Sequence, residues 1–171
     1  MFKKIIILAT VVILLPLATQ AREDKFVPAV GEISAVVAGM ERAVVSAEGG
    51  LNVYSAQGKP LSGFPLFVDN QVFVTSPVLA DITGDEQQEI VVVARSGDSY
   101  TLFAFDGTGA TLGSVAWNGA SIYFDQVALP NTVTGFDDVI VADTAGKIVR
   151  YSFQNGYFSV AQTINIGLAV G

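Results

Sequence analysis

From residue 33 onward the chain is a succession of short apolar runs broken by Gly, Ser and acidic residues. IVVVA and YTLFAF, parted by Ser96, Gly97 and Asp98, predict two buried strands joined by a tight turn. Similar runs predict strands near SAVVA, AVVSA, LNVYS and PLFV before them, and near QVAL, DVIVA, IVRYSF and FSVAQTI after them. Beyond the first 21 residues nothing shows the 3.6-residue period of an amphipathic helix. The expected fold class is all-β.

Residues 1–21 follow another pattern. Lys3 and Lys4 precede an apolar run from Ile5 to Leu15, followed by Pro16 and small residues ending at Ala21. This is the layout of a secretory signal peptide, and the run is shorter than the roughly 17 to 25 residues a spanning helix needs. An uncleaved anchor is the alternative, because Thr19 is a poor partner for Ala21 at a cleavage site. The expectation is a chain secreted, periplasmic or at the cell surface, beginning near Arg22 and with no transmembrane span once mature. Residues 22–32, with Pro28, read as a linker.

Three segments repeat one plan. RAVVSAEGGLNVYSAQG, EIVVVARSGDSYTLFAFDGTG and DVIVADTAGKIVRYSFQNG each give a strand, a Gly turn, a second strand and a closing glycine. The closing glycines Gly58, Gly109 and Gly156 recur at about 50 residues, the interval of propeller blades. In the central unit PVLA leads into Asp81, Thr83, Asp85 and Glu89, at odd positions of one loop. Together with the linker-like GKPLSGFPLFV, this layout resembles the FG-GAP/VCBS repeat of integrin-like β-propellers. The resemblance covers about residues 31–171.

It implies a propeller built from four-stranded antiparallel sheets, with blades at about 33–68, 76–117 and 122–164 and a fourth begun at 166–171, where GLAVG is similar to SAVVAG and PVLAD. Propellers close with about four to eight blades. Three and a fraction make an incomplete ring, to be completed by downstream blades or by self-association. The resemblance also implies a non-enzymatic scaffold for extracellular binding or adhesion, with a protein or carbohydrate ligand. An accessory module of a larger extracellular enzyme and a structural scaffold for envelope assembly are the alternatives.

Composition narrows the chemistry. The chain has no Cys and no His, which removes disulfides, thiolate nucleophiles, imidazole bases and the usual zinc sites. Its formal charge of −7 becomes −9 when Lys3 and Lys4 leave with the signal, so nucleic acid is not an expected partner. The loop from Asp81 to Glu89 has two readings. Alternating oxygen side chains suit Ca²⁺, which takes six to eight oxygens; the ligands would be Asp81, Thr83, Asp85, Glu89 and the backbone carbonyl of Gln87. Asp81, Gly84, Asp85 and Glu89 match the family pattern Asp-x-Asp-Gly-Asp-Gly-x-x-Asp/Glu, whereas Thr83 replaces a carboxylate and Glu86 a glycine. The other reading is an Asx-type turn in which Asp81 and Asp85 accept backbone N–H bonds.

Three further groups are expected to be structural. Asp137 and Asp138 read as solvated charge ending a loop. Trp117, Tyr123, Phe124, Tyr157 and Phe158 read as fillers between blades rather than a sugar-stacking surface. Arg95, Lys147 and Arg150 are scattered and form no phosphate cradle.

Overall fold

A computed structural model describes residues 26–122 and 125–166. The signal expected at residues 1–21, all but Ile166 of the expected fourth-blade start, and Tyr123 and Phe124 lie outside the described residues. Among those described there is no helix, and none is therefore long and apolar enough to cross a membrane. Twelve strands form three antiparallel sheets, none of which closes on itself.

The first sheet is β1 (Ala29–Gly31), β2 (Glu41–Val45) and β3 (Leu51–Tyr54), paired in that order. The second holds β4 (Val72–Phe73), β5 (Val78–Ala80), β6 (Glu89–Ser96), β7 (Ser99–Phe105) and β8 (Thr111–Trp117). Here β4 and β5 share one edge of β6, and β7 and β8 follow on the other side. The third is β9 (Val127–Pro130), β10 (Asp137–Ala142), β11 (Lys147–Gln154) and β12 (Tyr157–Asn165), again in chain order.

Four hairpin turns share one chemistry. Ser46, Ser55, Asp106 and Asp143 each open a turn closed by Gly49, Gly58, Gly109 and Gly146, whose N–H donates back to the opening residue's carbonyl. These glycines hold φ of 76°, 79°, 86° and 82°, in the left-handed region where a Cβ is costly. The opening side chain then accepts the next N–H, from Gly50, Lys59, Ala110 and Lys147 respectively. Between β11 and β12 the two-residue turn Asn155–Gly156 has positive φ at both positions, matching the right-handed twist of the strands it joins.

The sheets stack face to face in series. Alternation along β6 and β7 sends Ile90, Val92, Ala94, Phe103 and Phe105 toward the first sheet, where they bury Ala43, Val45, Leu51 and Val53. The other face sends Val91, Val93, Leu102 and Ala104 toward Val139, Val141, Val149, Tyr151 and Phe153 of the third. The second sheet is therefore apolar on both sides. This explains the uninterrupted run IVVVA, which strict alternation would not give. A polar clip fastens the same junction. The buried Gln126 amide donates to the carbonyls of Ser76 and Val91 at 2.6 and 2.7 Å, while its oxygen accepts the Thr75 hydroxyl at 2.9 Å.

Two expectations differ from the fold. The first strand is Ala29–Gly31, inside the stretch read as linker, and SAVVA is a turn-rich loop. The cause is Glu41, whose carboxylate takes the N–H groups of Ile33 and Ser34 and turns the backbone out of the ladder after Gly31. PLFV is likewise no strand. Isolated bridges from Tyr54 to Pro60 and from Leu51 to Leu66 make this proline-bearing segment a partial fourth edge to the first sheet.

Candidate functional site

At one end of the stack the loop from Asp81 to Glu89 joins β5 to β6. Glu89, 4% exposed, points its carboxylate back into the loop. Its Oε2 accepts the N–H groups of Ile82 and Thr83 at 3.0 and 3.2 Å, and its Oε1 accepts the Thr83 hydroxyl at 3.3 Å. Asp81 accepts from Gly84 N at 2.6 Å and from Glu86 N at 3.1 Å. Asp85 accepts both the backbone N–H and the side-chain amide of Gln87. Glu86 occupies the left-handed region at φ 70°, the place where the family pattern has glycine.

The carboxylates of Asp81, Asp85 and Glu89 share one loop, and their oxygens face five backbone N–H groups rather than a common centre. As arranged, the side chains fit the Asx-type turn. A cation would have to win these oxygens from the N–H donors, and among the described residues no group of three or more acidic side chains is placed to hold a metal. Burial pushes the Glu89 carboxyl up to about 7, with the nearby Asp85 charge adding to the rise and the N–H donors of Ile82 and Thr83 opposing it.

The loop is anchored on both sides. Gln87 Oε1 accepts Ala35 N of the first sheet's loop at 3.2 Å, and Gln88 N donates to Glu32 O at 2.9 Å. On the far side Asp137 N donates to Asp81 O at 2.8 Å, and Asp81 N returns a bond to Asp137 Oδ2 at 3.0 Å.

Glu89 has a counterpart in each neighbouring sheet, which sequence reasoning missed. Glu41 opens β2 and caps Ile33 N and Ser34 N, as Glu89 opens β6 and caps Ile82 N and Thr83 N. The signal was present in the chain as Ile-Ser followed by Glu41 and Ile-Thr followed by Glu89. In the third sheet the same place is held by Asp138, which pairs with Leu129 as Glu89 pairs with Ala80 and Glu41 with Gly31. Asp138 is not solvated, as its position beside Asp137 suggested; it is 2% exposed. Being shorter than Glu, it reaches Asn131 Nδ2 at 3.0 Å instead of the loop N–H groups, and it also binds Arg150 Nε and Ser152 Oγ, both at 2.6 Å.

Beside this loop a cleft of about 550 Å³ opens between the second and third sheets, a size typical of small-ligand sites. Its apolar floor is Ile82, Leu112, Phe136 and Phe153; Thr83, Gln154 and Asn155 supply polar groups at its rim. Among the described residues no charged side chain lines it. Trp117 and Phe158 are buried in the core between these sheets, as fillers should be, whereas Tyr157 is 75% exposed next to the Asn155–Gly156 turn. Of the scattered cations, Arg150 is paired with Asp138, and Lys147 lies over the Trp117 ring and donates to the Asn118 carbonyl. No family model matches this chain, and no curated protein matches it.

Proposed function

We propose that this chain is an exported β-propeller-type scaffold of FG-GAP/VCBS-like blades that binds a protein or carbohydrate outside the cytoplasm and carries out no catalysis. The observation that supports this reading best is the recurrence of one buried acid, Glu41, Glu89 and Asp138, at the same register position in three stacked sheets. Sheets repeated on one plan and stacked side by side leave the loops at the sheet ends available for recognition.

The cleft between the second and third sheets is the proposed contact point. With an aromatic and aliphatic floor, amide side chains at the rim and no charge, it suits an uncharged surface with one apolar face, such as a pyranose ring or a small apolar side chain. Glycan and peptide arrays probed with the mature protein test this. Ligands found there should lose about tenfold or more in affinity with Phe136→Ala or Asn155→Ala. Binding that survives both substitutions overturns the assignment to the cleft.

Calcium enters the proposal as a weak stabilising ligand of Asp81, Thr83, Asp85, Gln87 and Glu89. It is carried by the sequence pattern, and competition from the N–H donors keeps the expected affinity near about 10⁻⁴ to 10⁻³ M. About 10 mM Ca²⁺ should then raise the melting temperature by mass action, and Asp85→Ala should remove the increment. An unchanged midpoint in the parent protein would leave the loop a hydrogen-bonded turn and nothing more.

A further inference from the structure

The three sheets match position for position, and the match runs past the last interface. Strand register aligns Ala43 and Val53 with Val91 and Ala104, and these with Ile140 and Arg150. Val45 and Leu51 align in the same way with Val93 and Leu102, then with Ala142 and Ile148. In the first sheet this face is buried by Ile90, Val92, Phe103 and Phe105 of the second. In the second it is buried by Val139, Val141, Val149 and Tyr151 of the third.

In the third sheet nothing among the described residues covers it. Leu129, Ile164 and Val127 on that face are 37%, 47% and 56% exposed, around the partly exposed Ile140 and Ile148. Arg150, the only cation there among the described residues, is answered by Asp138 at 2.6 Å, so the face carries no net charge; with Gln162 and Ser152 this pair forms the polar part of a face otherwise built of Val127, Leu129, Ile140, Ile148 and Ile164.

The backbone contacts between sheets recur as well. Gln88 N donates to Glu32 O across the first interface and Asp137 N donates to Asp81 O across the second. By register, the carbonyl in the corresponding place on the third sheet is that of Pro130.

The opposite end of the stack is built differently. On the outer face of the first sheet the positions of Ile90, Val92, Phe103 and Phe105 are held by Arg42, Val44, Asn52 and Tyr54. Stacking that face on the third sheet, whether from a second copy or by closure of one chain on itself, would bring Arg42 into the interface that already contains Arg150 and would bury Asn52 without a matched partner. Polar outer faces are what terminal repeats require, and among the described residues the face with Arg42 and Asn52 in place of large apolar side chains comes nearer to one.

We propose that the outer face of the third sheet is a docking surface for a further four-stranded sheet of this same repeat. Its facing side would be apolar at the positions of Ile90, Val92, Phe103 and Phe105, with a strand-leading N–H reaching the Pro130 carbonyl. The partner is thus defined by continuity with two interfaces that the chain itself contains.

The absence of cysteine makes the test direct, because a single introduced thiol is uniquely labelled. Ile164→Cys, or Leu129→Cys should the first perturb folding, reports on the face; Val44→Cys on the first sheet is the control. Extending the chain after residue 166 with a second copy of residues 118–166 supplies a suitable sheet, whose facing side is Val139, Val141, Val149 and Tyr151. Maleimide labelling at position 164 of the original sheet should slow at least tenfold on extension, while position 44 is unchanged. An unchanged rate at 164 overturns the proposal. So does a thiol already protected in the unextended protein together with sedimentation as a dimer, since the face then belongs to a second copy.

Discussion

At the scale of single residues, the capping acids show how one side chain decides where a strand begins. Glu89 is buried against three donors, yet burial outweighs them and holds its carboxyl near pH 7. A group whose folded pKa is raised above its unfolded value binds its proton more tightly in the folded state. Its contribution is fully present below about pH 4.5 and is lost as pH rises through about 7. The mature protein should therefore lose stability between these limits, by an amount on the order of 3 kcal/mol or less from this residue. Glu89→Gln keeps an acceptor for Ile82 N and Thr83 N and removes the titration. Its melting temperature should equal the parent's near pH 4.5 and exceed it above pH 7.5, as read by thermal melts across pH. Equal midpoints at both ends would show that Glu89 is ionised at little cost. Asp138 offers a contrast, because removing it strands Arg150 and Ser152 together. Asp138→Ala should cost about 1 to 3 kcal/mol in denaturant melts, the penalty for leaving the partners of a buried carboxylate without their acceptor, since Arg150 itself is partly open to water.

At the scale of elements, the turns carry most of what could be read without coordinates. The Ser/Asp-x-x-Gly pattern at Ser46, Ser55, Asp106 and Asp143 is local chemistry, so it marks four hairpins wherever the flanking runs are apolar. Asp106→Ala removes the acceptor for Thr108 N, the Thr108 hydroxyl and Ala110 N, and should cost about 1 to 2 kcal/mol in denaturant melts. The long strands β6, β7, β10 and β11 were legible because each buries a dense apolar row. β1 and β4 were not. They have three and two residues, and they exist only because β2 and β6 offer them a ladder. SAVVA misleads for the converse reason, since its strand-like composition is overruled by the Glu41 carboxylate eight residues from Ile33. The same division holds at the site. The acidic loop is contiguous and was legible as a loop, whereas the cleft joins Ile82, Leu112, Phe136 and Asn155 from separate turns and strands that only sheet stacking brings together.

At the scale of the whole molecule, the series arrangement makes the second sheet the shared support of the other two. Among the described residues each outer sheet packs on this neighbour through one apolar cluster. In stacks of this kind stability is carried by individual repeats plus nearest-neighbour interfaces, so damage at one interface need not reach the other. Phe103 separates the cases, because it belongs to the cluster facing the first sheet and packs edge-on to Phe73 and stacked on Phe105. Phe103→Ala should cost about 3 to 5 kcal/mol at that interface. Native-state hydrogen exchange should then speed up in β2, β3, β6 and β7 while the amides of β10 and β11 keep their protection. Tyr151→Ala, on the other cluster, should do the reverse, loosening β10 and β11 and sparing β2 and β3. Uniform acceleration across all three sheets in either variant would mean that the stack opens only as one cooperative unit. The two interfaces would then be coupled through the backbone of β6 and β7 rather than adding independently.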